Sequence, residues 1–183
     1  MYQYFLYLPC PAGVQGMLRN EISQILNKPI DQMSETRTGV ILKGTWDDAL
    51  KLNLYTRLAQ RVLIELSHGF YRNENDLYRA VGSVPWEDWF HNQHTFKVDV
   101  TAQHSPLTSL NFATLRIKDA VVDRFRDMTG ERPSIDTHFP GVRLHVHLTT
   151  EEFYVYIDTS GEPLFKRGWR VDKGDAPLKE TLA

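Results

Sequence analysis

Four cations within eight residues, Lys166, Arg167, Arg170 and Lys173, form the densest basic run in the chain, with Phe165 and Trp169 among them. Cations so spaced neutralise phosphates, and aromatic rings beside them stack on bases. A solvated charged face has the same composition, so both readings stand. A second group sits on a strand pattern. Alternation over residues 142–148 puts Arg143, His145 and His147 on one face, and the next strand adds Tyr154 and Tyr156. Such a face is a stacking platform for single-stranded RNA, at ~1–3 kcal/mol per stacked base. Alternatively it packs beneath a helix, with the tyrosine hydroxyls reaching the surface. Two further cations stand apart. Lys118 falls within the apolar arc of a helix, where an ammonium either snorkels to the rim or meets a phosphate. Arg132 lies in a charged turn fixed by Pro133.

Other chemistries find no support. Asp158 and Ser160 have no histidine at a spacing that makes a hydrolytic triad. Glycines 161, 168 and 174 match neither a dinucleotide fingerprint nor a P-loop. His145 and His147 have no neighbouring carboxylate or cysteine in sequence to complete a metal site. Cys10, between two prolines, is a poor nucleophile. The pattern is one of binding, and no catalytic, cofactor or metal residues are assigned.

The elements that must carry these residues are legible. Residues 2–8 read as a buried strand, 14–26 as an amphipathic helix, and 32–37 with 40–43 as a hairpin around Thr38-Gly39. That β-α-β-β run is about half of a ferredoxin-like unit and must borrow later elements. Thr45 is the expected N-cap of a helix over 46–55, with Asp47 and Asp48 in its first turn. A strand over 62–66, a helix over 75–81, an aromatic turn over 85–90 and a strand at Phe96, Val98 and Val100 follow. The stretch 111–136 is the organising piece. Leu115, Ile117, Val121, Val122, Phe125 and Met128 share one arc of a helix stopped by Gly130 and Pro133. A hairpin over 142–149 and 153–158 follows it. Pro177 opens a helical pattern six residues before the last, which predicts that the chain is a piece of a longer protein.

Composition narrows the class. A chain of 183 residues, 42% hydrophobic and 11% aromatic, can bury a core as one domain or two small ones. Net charge of -2 argues against a strongly basic nucleic-acid module, though not against a local patch. One cysteine permits no internal disulfide and fits a reducing compartment, so a cytoplasmic place is expected, with no membrane and no DNA partner.

The run from Asp158, Asp-Thr-Ser-Gly-Glu-Pro-Leu-Phe-Lys-Arg-Gly-Trp-Arg, and that from Ala176, Ala-Pro-Leu-Lys-Glu-Thr-Leu-Ala, closely resemble THUMP-containing RNA methyltransferases. The nearest branch is the bacterial large-subunit ribosomal RNA guanine-N2 methyltransferases. Thr38-Gly-Val-Ile-Leu-Lys-Gly, Tyr55-Thr-Arg-Leu-Ala-Gln-Arg, Lys118-Asp-Ala-Val-Val-Asp and Arg132-Pro-Ser-Ile-Asp carry the resemblance along nearly the whole chain. Gly13-Val-Gln-Gly departs from the family's Gly-Leu-Glu-Glu-like run.

The resemblance implies an α+β chain. A ferredoxin-like part at 1–47 would be completed by 160–183, and an α/β THUMP domain would span 48–159. It implies a catalytic domain after residue 183 that binds S-adenosylmethionine, with no cofactor in this piece. The implied partners are RNA, above all large-subunit rRNA, and the chain's own methyltransferase domain. The RNA-contacting residues expected are Lys118, Arg132, Lys166, Arg167, Arg170, Arg143 and Tyr154. A transfer-RNA methyltransferase and a non-binding scaffold are the alternatives.

Overall fold

A computed structural model describes residues 2–167. It divides into two compact units, one formed by residues 2–64 with residues 159–167, the other by residues 65–158.

The first unit runs β1 (Tyr4–Pro9), α1 (Gln15–Leu26), β2 (Met33–Thr36), β3 (Gly39–Gly44), α2 (Trp46–Tyr55) and the start of β4 (Leu63–Phe70). Its strands order as β2-β3-β1-β4 with every pairing antiparallel. This is the β-α-β-β-α-β arrangement of a ferredoxin-like unit. Leu6, Leu8, Val40 and Leu42 are buried with Leu18 and Ile22 of α1 and Leu52 of α2. Register puts Phe5 opposite Lys43 and Tyr7 opposite Ile41 on the other face. Gly39 has no substitute here, because a Cβ would collide with the Leu8 carbonyl and the Tyr7 ring. Thr45 caps α2 as expected. Its Oγ1 accepts from Asp48 N at 3.2 Å, and the Asp48 carboxylate accepts from Thr45 N at 2.8 Å.

Two expectations shift. The second part was expected to begin at residue 48, but α2 belongs to the first unit, where it packs on α1 and β3. The missing half of the ferredoxin-like order is therefore supplied by α2 and β4, the next elements in sequence. The first residues of the tail bond to the chain just before β4. Thr159 N donates to Val62 O at 3.1 Å, Val62 N to Ser160 Oγ at 2.8 Å, and Leu164 N to Gln60 O at 2.8 Å. Among the described tail residues these bonds add no strand.

The second unit continues through β4 to α3 (Glu74–Gly82), β5 (Phe96–Ala102), α4 (Leu110–Thr129), β6 (Val142–Leu148) and β7 (Glu152–Asp158). Its strand order is β4-β7-β6-β5. β5 and β6 are parallel, joined by the α4 crossover, and β6 and β7 are antiparallel across a short turn. α4 packs against α3 and β5 over a core of Phe96, Val98, Ile117, Val121, Phe125 and Leu144. The Phe90 ring lies 4.8 Å from that of Phe125 and 6.1 Å from that of Phe96. Burying one such side chain contributes about 1.5–3 kcal/mol.

The arc of α4 is rotated from its expected centre. Ala113 and Ala120 are buried beside Ile117, Val121 and Phe125, while Leu115 and Met128 are 50% and 56% exposed. Small alanines let α4 approach its neighbours closely, and large apolar residues alone misplace the seam. Gly130 closes the helix at φ 78, the left-handed conformation that favours glycine.

Candidate nucleic-acid interface

The seven expected contact residues meet different fates. Arg170 lies outside the described residues. Lys166 is exposed on the tail and pairs with Glu162 at 3.2 Å, one turn away. Arg167 is turned inward. Its guanidinium donates to the carbonyl oxygens of Asn53 at 2.8 Å, Leu54 at 2.5 Å and Thr56 at 2.8 Å, the groups left unpaired at the C-terminal end of α2. A guanidinium held there caps a helix. This corrects the expectation that Arg167 meets phosphate.

On the β6–β7 face the alternation is as expected, and Arg143, His145, His147 and Tyr154 are half-buried there. Tyr154 and Tyr156 stack at 6.4 Å and 9°, His68 stacks on Tyr154 at 6.1 Å, and Tyr156 is buried. Acceptors are interleaved with the rings. Tyr154 Oη donates to Glu152 at 2.9 Å, and His145 Nε2 lies 3.4 Å from Asp158. Burial, then that glutamate, pushes the Tyr154 hydroxyl up, and burial lowers His147. The helices α3 and α4 are not what covers this side, since Phe96 and Val98 face them while Lys97 and Asp99 alternate away. Tyr154 is half-buried, with its hydroxyl held by Glu152 and its ring between those of His68 and Tyr156.

The arginines of α3 and α4 are similarly occupied. Arg124 forks onto Glu87, Arg126 pairs with Asp123 at 2.8 Å, and Arg116 lies 4.3 Å over the Tyr78 ring while donating to Asn75. Lys118 and Arg132 differ, taking part in no ion pair among the described residues. They are not neighbours. Eleven residues of α4 separate Lys118 from Thr129, about 16 Å of helix.

Arg132 and Arg143 stand at the two ends of one loop, which is tied to the first residues of β5. Phe96 is flanked by Ile135 on one side and Val142 on the other, which places those two about 10 Å apart. Arg143 follows Val142 and stands opposite Lys97, and Arg132 lies three residues before Ile135. The loop between them is pinned at both ends. Phe96 N donates to Ser134 O at 3.0 Å, Asp136 N to Phe96 O at 3.2 Å, Gly141 N to Thr95 Oγ1 at 3.0 Å and Val142 N to Thr95 O at 2.9 Å.

Within that loop Asp136 Oδ1 accepts from His138 N at 2.9 Å and Phe139 N at 3.0 Å. The Phe139 and His138 amides hold its carboxyl below the usual carboxylate range. The turn presents Phe139 at 87% exposure. An aromatic ring held out on a pinned loop, with arginines on both flanks, suits a base and its phosphates. Sequence reasoning missed Lys97, His138 and Phe139. The readable signal was an aromatic between Asp136 and Pro140, two turn formers.

Residues 71–158 match the THUMP domain, and residues 6–63 match the RlmL ferredoxin-like domain. The chain is a THUMP-domain protein. The ribosomal RNA large subunit methyltransferase K/L of Syntrophotalea carbinolica is 38% identical over 97% of this chain and 24% of its own length. The chain thus spans about a quarter of that relative. A predicted N6-adenine-specific DNA methylase from Listeria monocytogenes superposes with a TM-score of 0.85 at 26% identity, covering 100% of this chain and 47% of that one. A 4-thiouridine synthetase, solved as an RNA complex with bound ATP, shares the fold at a TM-score of 0.56 and 12% identity, over 86% of this chain and 41% of its own. Among the described residues no helix is long and apolar enough to cross a membrane.

Proposed function

We propose that this chain is the RNA-binding part of a cytoplasmic, S-adenosylmethionine-dependent rRNA guanine-N2 methyltransferase, and that it positions large-subunit rRNA for a catalytic domain. One observation carries the reading. The pinned loop of the THUMP domain holds Phe139 exposed, with Arg132 before the loop and Arg143 after it in sequence, and such a loop can supply phosphate contacts and a stacking ring. Lys118 adds a further phosphate contact, on α4. The names of the relatives support the rRNA methyltransferase assignment, and the RNA complex of the fold-level neighbour supports RNA as the ligand.

The physical logic is positional. A methylase acting on a base must draw it out of the stack into a pocket. Phosphate contacts fix register and orientation without reading sequence, so a module of this kind decides which nucleotide arrives. The glycine-rich turn and the Asn-Pro-Pro-aromatic motif that the family resemblance implies for cofactor and guanine do not occur in these 183 residues. The chemistry is assigned to the remainder of the parent enzyme.

Ultraviolet crosslinking to an rRNA hairpin, followed by peptide mapping, tests the surface. The crosslinks should concentrate on residues 131–143. Crosslinks confined to the tail or to α3, with none on that loop, would overturn the placement.

A further inference from the structure

The ferredoxin-like unit carries a second surface that the THUMP interface does not use. Its helices cover one face of the sheet only, and the central strands β1 and β3 turn Phe5, Tyr7, Ile41 and Lys43 to the other. Phe5 is 42% exposed, and Lys43 Nζ sits 5.2 Å from the centre of its ring. Around them lies an open hollow of about 510 Å³, whose polar lining includes Gln3, Gln32, Ser34 and Lys28. Lys28 is already paired with Asp48 at 2.7 Å, so Lys43 is the cation presented to the hollow.

Among the described residues, no carboxylate lines this hollow. An aromatic ring on a central strand, a lysine beside it and uncharged amides and a hydroxyl at the rim match one ligand chemistry. The ring stacks on a base, the ammonium meets the phosphate, and the amides bond base edges in either polarity. An antiparallel four-stranded sheet with helices behind it is a platform on which unpaired bases lie flat.

We infer that the open sheet face of the ferredoxin-like unit binds single-stranded RNA, with a base stacked on Phe5 and its phosphate on Lys43. The inference shares RNA as partner with the proposed function, but it rests on different residues in the other unit. It gives the chain two contacts of different kinds, one for an unpaired segment and one for folded RNA.

Fluorescence anisotropy of the whole chain with a labelled single-stranded RNA hexamer and with an rRNA hairpin separates the two. Phe5→Ala and Lys43→Ala should each weaken hexamer binding roughly tenfold, and Phe5→Tyr should retain it. Hairpin binding should instead depend on Arg132 and Arg143. Melting curves of Phe5→Ala and Lys43→Ala should match wild type, since both side chains are exposed. If wild type fails to bind the hexamer, or neither alanine variant weakens it by more than twofold, the inference fails while the hairpin result still stands. If Arg132→Ala/Arg143→Ala leaves the hairpin unaffected and Phe5→Ala weakens the hexamer, the THUMP placement fails and this site remains.

Discussion

Arg167 Nη2 donates to the carbonyl oxygen of Thr56 at 2.8 Å, joining the tail to the end of α2 across 111 residues of sequence. The same guanidinium reaches Asn53 and Leu54. Removing it strands carbonyls whose only other recourse is water. Arg167→Ala should therefore lower stability by about 1.5–3 kcal/mol, the range for hydrogen bonds to charged groups. Lys166→Ala, which breaks one exposed pair, should change it by under ~0.5 kcal/mol. Urea denaturation of both variants checks this. Equal and negligible effects would mean that Arg167 is an ordinary surface cation.

The ion pair of Arg124 with Glu87 ties α4 to the turn at 86–88 and predicts a pH dependence. The Arg124 hydrogen bond holds the Glu87 carboxyl below its usual range. A carboxyl depressed in the folded state adds stability above its unfolded pKa, about 4.3, and loses it as pH falls through the lower folded value. Glu87→Gln should cost about 1 kcal/mol at pH 7. The difference from wild type should close as pH drops below about 4. A difference that stays constant from pH 7 to pH 3 would mean packing, not charge, holds this contact.

If the methyl-transfer site belongs to the rest of the parent enzyme, titrating this chain with S-adenosylmethionine should give no binding heat in calorimetry. Micromolar affinity would place a cofactor site within these 183 residues.

Much of the architecture was written in local signals. Thr45 with Asp48, Gly130 and the alternation over residues 142–148 each determine their structure through contacts a few residues away, so the elements they begin or end are readable. What was not readable depends on distance. Arg167 looks like a surface cation in sequence because its partners at the end of α2 lie 111 residues or more earlier. Leu115 and Met128 satisfy the helical period yet face solvent, because the seam of α4 was set by Ala113 and Ala120, whose small size carries little weight in a hydrophobic pattern. Arg132 and Arg143 were each legible as cations. Their place at the two ends of one pinned loop was not, since it arises from Ile135 and Val142 taking opposite sides of Phe96.

The salt dependence of RNA binding tests the assignment of this loop most directly. Wild type, Arg132→Ala/Arg143→Ala and Phe139→Ala are titrated with an rRNA hairpin at several salt concentrations, with a melting curve for each. The double variant should bind more weakly and flatten the slope of log K against log salt by roughly 0.7–0.9 for each phosphate no longer neutralised. Phe139→Ala should weaken binding by ~1–3 kcal/mol with the slope unchanged, because stacking releases no counterions. A natively folded double variant with wild-type affinity and slope would contradict the assignment of this loop to RNA.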